Sequence, residues 1–272
     1  MACIPIHRNW KKFDWVSLEE VGEKGNNRRI INLVNKSGDL MQYHWHKAAA
    51  FPNLNLSKRV FLPRLLSVCG LIVPFIFLIG IAIVGWQQPD YNTMADTVSK
   101  MGRVGRPYAE LANSILIVSG ILIAIFAQGL PRLKLRFSGG WSAQNLLATF
   151  GLFGLAGAGL LPCDEYCAGM SSANILHTLP VAIGFGGLQL ALLRFARRDQ
   201  REPFWIGIRE MSLTLFWAGL FALAVFVFGR WGIIPWLESY AGFSEKIYLA
   251  LLFVFIFIMA KRLYVLSSPL IA

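Results

Sequence analysis

Charge is what this chain is short of. Asp, Glu, Lys and Arg make up 15% of its 272 residues, whereas 56% are hydrophobic, and the mean hydropathy is +0.53. A soluble domain carries about 25% charged residues, so a water-soluble globule is excluded. Long stretches have no charge at all, and a bilayer core about 30 Å thick is crossed by about 20 such residues in a helix. Six runs of that kind fall at 65–86, 107–130, 142–161, 174–194, 211–229 and 245–265. Alternation of apolar and polar residues is also missing from them, and each is about twice as long as a barrel strand. The fold class is therefore all-α: a polytopic membrane protein with a bundle of six transmembrane helices. The middles of these runs lack Asp, Glu, Lys and Arg, the usual markers of ion and proton pathways. Gln128 and Gln189 lie toward the inner ends, so transport is disfavoured.

Basic residues set the orientation. Of the 26 Lys and Arg, all but Lys100, Arg103, Arg106, Arg230 and Lys246 fall in the N-terminal segment, the second and fourth connections or the C-terminal end. The positive-inside rule then puts both termini in the cytoplasm. Trp86 and Trp231 would lie at the outer interface, Trp141 and Trp205 at the inner one. The expected organisation is a cytoplasmic extension over 1–63, a transmembrane domain over 64–266 and a cytoplasmic tail over 267–272. No cleavable signal peptide is expected, because residues 1–60 are polar and the first apolar run is too long for an h-region. The first helix would act as its own anchor. The net charge of +11 follows from this topology and from attraction to anionic inner-leaflet lipid, so nucleic acid is not an expected partner.

Within the extension, NWKKFDWVSLEEV (9–21) carries Trp10, Phe13 and Val16 or Ser17 at helical spacing beside Lys11 and Lys12, which predicts an interfacial helix. RRIINLV and LMQYHWH flank NKSGD and predict a small hairpin. His44 and His46 would share one strand face, with no Cys or Asp near them in sequence, and read as a solvated face or partner contact rather than a metal site. No internal repeat is evident. In the third run, Gly151, Gly154, Gly157 and Ala158 offer a flat surface for helix approach, and Gly184, Gly186 and Gly187 do the same in the fourth. Runs five and six are bulky and aromatic and are expected to face lipid or another subunit.

The most polar interruption is LLPCDEYCAGMSSANILH (160–177), which becomes an outer connection leading into helix four. The other long outer connection supplies Asp90, Asp96, Ser99 and Lys100, and Glu110, Asn113 and Ser114 form one stripe at the outer end of helix two. Polar groups in a span usually face the bundle interior, so Asp96, Ser99, Glu110, Asn113, Asp164 and His177 are expected to converge. MADTVSKMGRVGRPYAELANSILIVSG followed by LLPCDEYCAGMSSANILHTLPVAIGF resembles the six-helix bacterial and archaeal membrane family called domain of unknown function 998. The matching positions are Ser99, Gly102, Pro107, Asn113, Gly120, Pro162, Asp164 and His177, and the resemblance covers about residues 65–265. Similar architecture occurs in the Frag/DRAM/Sfk group, associated with lipid handling. The N-terminal extension and the Cys163/Cys167 pair depart from the family pattern.

Two functional classes follow. In the first, the protein is a non-catalytic accessory or assembly subunit that binds lipids, pigments or partner helices through helices five and six and the extension. Glu110, Asn113, Ser114, Asp164 and His177 then form a structural network. In the second, Ser99, Asp96, Asp164 and His177 serve a membrane-embedded lipid hydrolase or acyltransferase as nucleophile, base and orienting carboxylates. No Gly-x-Ser-x-Gly elbow occurs in the chain. Cys163, Asp164, Cys167 and His177 have the chemistry of a zinc set, but cysteines spaced in this way on an oxidising face are expected as a disulfide, and no metal is assigned. A bis-histidine haem is not expected, because the four histidines offer no pair at matching depth. No cofactor is assigned.

Overall fold

The computed structural model describes residues 13–23, 26–35, 40–45, 56–130, 142–164, 167, 171–197, 203–230 and 233–267. They divide into two units at Leu56. The NKSGD turn, His46, Trp141, Trp231 and the tail beyond Ser267 lie outside the described residues.

The N-terminal unit is an antiparallel meander of β1 (Phe13–Glu23), β2 (Asn26–Asn35) and β3 (Leu40–Trp45). β2 and β3 form the predicted hairpin, with Val34 opposite Leu40 and Arg29 opposite Trp45. β1 corrects the interfacial helix expected over 9–21. It pairs with β2 from Phe13 opposite Asn35 to Glu23 opposite Asn26, with a register shift between Phe13 and Trp15. A helix this short is marginal alone, whereas β2 supplies backbone partners to β1 from Phe13 to Glu23.

The membrane unit is entirely helical among the described residues. Its elements are α1 (Leu56–Gln87), α2 (Ala109–Gly129), α3 (Ala143–Leu160), α4 (Ser172–Ala196), α5 (Ile208–Arg230) and α6 (Ala241–Leu266). All six are long and apolar enough to cross a membrane, counting with α6 the 3₁₀ turn that leads into it. They fall on the six predicted runs. Ser142 and Ser171 start α3 and α4, their side chains accepting from the backbone N–H groups of Asn145 and Asn174, as N-caps do.

The bundle is built around α3. Of its most apolar stretch 72% is buried, against 28% for α5. Glycine is the reason. A Cβ at Gly151 would lie 2.5 Å from the Gly120 carbonyl oxygen and 3.0 Å from the Ala124 nitrogen, and one at Gly184 would overlap the backbone of Gly154. Backbone therefore meets backbone on both sides of α3, where its middle, Phe150–Ala156, widens into π-helix. The sequence expectation of close α3–α4 packing holds, and α2 closes on the opposite side.

Helix α6 departs only in part from the expectation of a position facing lipid or another subunit: Ile247, Leu251 and Val254 are exposed, but its other face is core. Phe253, Phe255, Ile256 and Met259 are fully buried, whereas α5 exposes Trp217, Phe221 and Leu223. Phe77 of α1 stacks on Phe253 with ring centroids 4.4 Å apart. At the end of the bundle where α1 begins, Arg64 donates to the Tyr264 hydroxyl at 2.8 Å, and Arg262 donates to the carbonyls of Phe204 and Ile206. These contacts hold α6 inside the bundle.

Candidate functional site

The opposite, distal end carries the connections 88–108, 161–171 and 231–240. In the first, Asn92 Oδ1 accepts from the N–H groups of Met94 and Ala95, and Asp96 Oδ2 accepts from Asn92 N–H at 2.9 Å. Asp96 Oδ1 pairs with Lys100 Nζ at 2.8 Å. This turn leads into a 3₁₀ helix, Val98–Gly102, whose last carbonyl accepts from Asn113 Nδ2 at 2.9 Å. The second connection joins the first where Val104 N–H donates to the Cys163 carbonyl at 3.2 Å.

Helix α6 holds the first connection from the side. Phe243 N–H donates to the Met94 carbonyl at 2.8 Å. Glu245 Oε2 accepts from Val98 N–H at 2.8 Å. Lys246 Nζ donates to the carbonyls of Thr93, Asp96 and Gly242 and lies 5.1 Å from the Tyr91 ring centroid. Burial pushes the Tyr91 hydroxyl above its ordinary range, and the carboxylates of Glu245 and Asp96 add to the effect. Burial would raise the Asp96 carboxyl too, but Lys100, the Asn92 N–H and Arg106 outweigh it and hold the group below its usual value.

Under this clamp lies a cavity of about 430 Å³ between α4, α5 and α6. Its mouth carries Thr97, Ser99, Lys100, Asn174 and His177, and its walls are Val181, Phe185, Ala222, Phe226 and Val227. From Asn174 to Gln189 it follows α4 for fifteen residues, about 22 Å at 1.5 Å per residue. At the deep end Gln189 Nε2 donates to the Tyr248 hydroxyl at 2.9 Å. Gly219 faces this pair, and a Cβ there would lie 2.7 Å from the Tyr248 oxygen. The cavity also opens sideways. Thr178, Ala182 and Gly186 line it at four-residue spacing and are exposed, as are Leu223 and Phe226 opposite them on α5.

The predicted site residues are partly gathered here. Ser99 and His177 line the cavity, and so do Cys163 and Cys167, which are disulfide-bonded with Cα atoms 5.0 Å apart. Asp164 stands beside them, accepting from Cys167 N–H at 2.9 Å and from the Ser171 hydroxyl. Its own N–H donates to Asn174 Oδ1 at 3.2 Å. The nucleophile, base and carboxylates do not form a hydrogen-bonded chain among the described residues. Ser99 Oγ bonds Thr97 Oγ1 at 3.1 Å, and Asp96 is taken by Lys100. His177 Nδ1 lies 2.7 Å from the Leu161 carbonyl oxygen. Because a carbonyl only accepts, Nδ1 carries the proton, which in the neutral ring leaves Nε2 as the acceptor.

The predicted structural network likewise separates into parts. Asn113 holds Gly102, and Asp164 holds Ser171 and Asn174 within the second connection. Glu110 and Ser114 are exposed on α2 and join neither group among the described residues. No group of three or more His, Cys, Asp or Glu side chains is gathered for a metal among the described residues.

Sequence reasoning missed Glu245, Tyr248, Asn174 and Gly219, and set Gln189 aside. A signal for the first two was present: Glu245 and Tyr248 are three apart at the start of an otherwise apolar run, and so share a face.

The fold and cavity define an integral membrane protein of six helices with an amphipathic cavity that reaches from the distal end into the bundle. The chain belongs to the family described as protein of unknown function (DUF998), whose model matches residues 71–262. The match includes every residue that lines the cavity and leaves out the N-terminal sheet. No curated protein and no solved structure matches the chain.

Proposed function

We propose that the protein is a non-catalytic lipid-binding component of the bacterial cytoplasmic membrane, with the distal end outside and both termini inside. The cavity carries this reading. A volume of about 430 Å³ lies in the range of small-molecule sites, roughly 300–1,000 Å³. Apolar walls, a polar mouth at the helix ends and a lateral opening between α4 and α5 suit an amphiphile that enters from the bilayer, tail first. The exposed aromatic residues of α5 would meet lipid or the helices of a partner subunit. The excess of basic residues at the other end supports the orientation. Labelling a Ser172→Cys variant in intact cells tests it, and labelling only after permeabilisation would reverse it.

Gly186 offers the direct test. A Cβ at this position meets no atom within 4 Å, so Gly186→Phe fills the lateral opening without disturbing the packing. Protein purified in mild detergent should retain about one amphiphile per chain, as a mostly apolar pocket of this size can hold, and Gly186→Phe should lose it with unchanged thermal stability. Equal lipid content in the two proteins would remove the cavity from the account.

A second reading, a membrane hydrolase or acyltransferase, is favoured by one observation. The Leu161 carbonyl sets the His177 tautomer so that Nε2 is the basic nitrogen, and Ser99 lines the same cavity. Against it stands the Thr97 hydroxyl, which occupies Ser99 in place of a base.

A further inference from the structure

The mouth of the cavity has an electrostatic preference. Its lining holds the Glu245 carboxylate and one ammonium, Lys100, which is already paired with Asp96 at 2.8 Å. Glu245 is the group that matters most. One oxygen accepts from Val98 N–H, and no Lys, Arg or His nitrogen among the described residues lies within ion-pair distance of it. The adjacent Lys246 attracts it only at longer range, because its ammonium donates to three backbone carbonyls of the 93–96 segment and α6 and not to the carboxylate. A carboxylate that faces a mostly apolar cavity with no ion-pair partner is costly to desolvate, and in a membrane protein such groups are matched by a partner. Aromatic rings stand in the same walls, Phe185, Phe226 and Tyr248, and ring faces attract ammonium groups.

We infer that the occupant is an ammonium-headed amphiphile, its cationic head on Glu245 below the 97–100 segment and its chain along α4 toward Gln189. This rests on the lipid-binding reading and gives that site its ligand class. An anionic lipid is disfavoured on the same grounds, because its head would meet the Glu245 carboxylate and an ammonium already engaged. Two sources supply the required head, a single-chain amine and an ethanolamine lipid.

Competition binding by native mass spectrometry on the full chain in detergent tests this. The probes are a long-chain alkylamine, the alcohol and the fatty acid of equal length, phosphatidylethanolamine and phosphatidylglycerol. The alkylamine should bind about tenfold tighter than the alcohol, as a charged hydrogen bond implies, and the fatty acid weakest. Glu245→Gln, which keeps an acceptor for Val98 N–H, should bring the amine down to the level of the alcohol. A preference for phosphatidylethanolamine over phosphatidylglycerol that Glu245→Gln also abolishes makes a two-chain lipid the source. The same loss for the alkylamine alone makes it a single-chain amine. Fatty acid or phosphatidylglycerol binding as tightly as the amines overturns the inference while leaving the cavity a lipid site, and this selectivity is read on the unmodified chain. Unchanged amine binding in a folded Glu245→Gln protein overturns it too. If no probe binds and Gly186→Phe alters nothing, the lipid-binding reading itself falls.

Discussion

The carboxylate of Glu245 and the backbone N–H of Val98 meet at 2.8 Å across 147 residues of sequence, and this bond fixes the 3₁₀ helix that carries Ser99 and Lys100 over the cavity. Removing the acceptor leaves a buried N–H unmet, which costs about 1–3 kcal/mol. Glu245→Ala should therefore lower the thermal unfolding temperature in detergent, and Glu245→Gln should restore most of it. Equal losses in the two variants would mean that the charge, not the acceptor, holds the segment.

Two glycines on α4, two residues apart, should respond in opposite ways. A Cβ at Gly184 would overlap the Gly154 backbone, and one at Gly186 meets nothing within 4 Å. Gly184→Ala must push α3 and α4 apart and is expected to cost about 1–3 kcal/mol, the usual penalty of overpacking. Gly186→Ala should leave the unfolding temperature unchanged or slightly raised, because alanine is the better helix former. Matching effects would place the α3–α4 contact elsewhere.

Asp96 makes stability depend on acidity. Its carboxyl is held below the ordinary value in the folded protein, so its contribution is complete above the unfolded value, about 3.9. It is lost as pH falls through the lower folded value. The group is partly solvated, which limits the effect to at most about 1 kcal/mol. Unfolding scans between roughly pH 3 and 6 should show a loss at the acid end that is smaller in Asp96→Asn. An identical acid response in the variant would exclude this carboxylate as a source.

Helices and cavity were unequally legible in the sequence. A span is a property of consecutive residues, so six apolar runs declared six helices, and the glycines at 151, 154 and 184 declared close packing. Which helices those glycines meet depends on tertiary arrangement, and the contact of Gly151 with Gly120 has no local signal. The β1 segment was ambiguous, because Trp10, Phe13 and Val16 fit a helical period. The strand prevailed through pairing with β2, which no single segment encodes. Glu245 read as the edge of a span until α6 folded against the 93–98 segment. Gln189 became a cavity residue only because Gly219 on a different helix leaves room for it. The polar residues of the distal end were identified as a set, but their partners are mostly backbone carbonyls and N–H groups, which side-chain patterns do not reveal.

His177 separates the two functional readings. Its Nδ1–H meets the Leu161 carbonyl at 2.7 Å with the ring buried. If that bond is its whole role, His177→Asn keeps a donor near the same carbonyl and should fold with a small loss. His177→Leu leaves the carbonyl unmet and should cost about 1–3 kcal/mol. Lipid retention should then follow stability, and Ser99→Ala should behave as the unmodified chain. A general base makes a different demand, since neither asparagine nor leucine can take and return a proton near neutral pH. Under that reading both variants and Ser99→Ala would be equally inactive while His177→Asn remained stable. Thermal unfolding measured beside complementation of a deletion strain distinguishes the cases. The expected result is graded stability with partial function in His177→Asn. A stable His177→Asn protein without function, matched by Ser99→Ala, would make the cavity an active site and Ser99 its nucleophile.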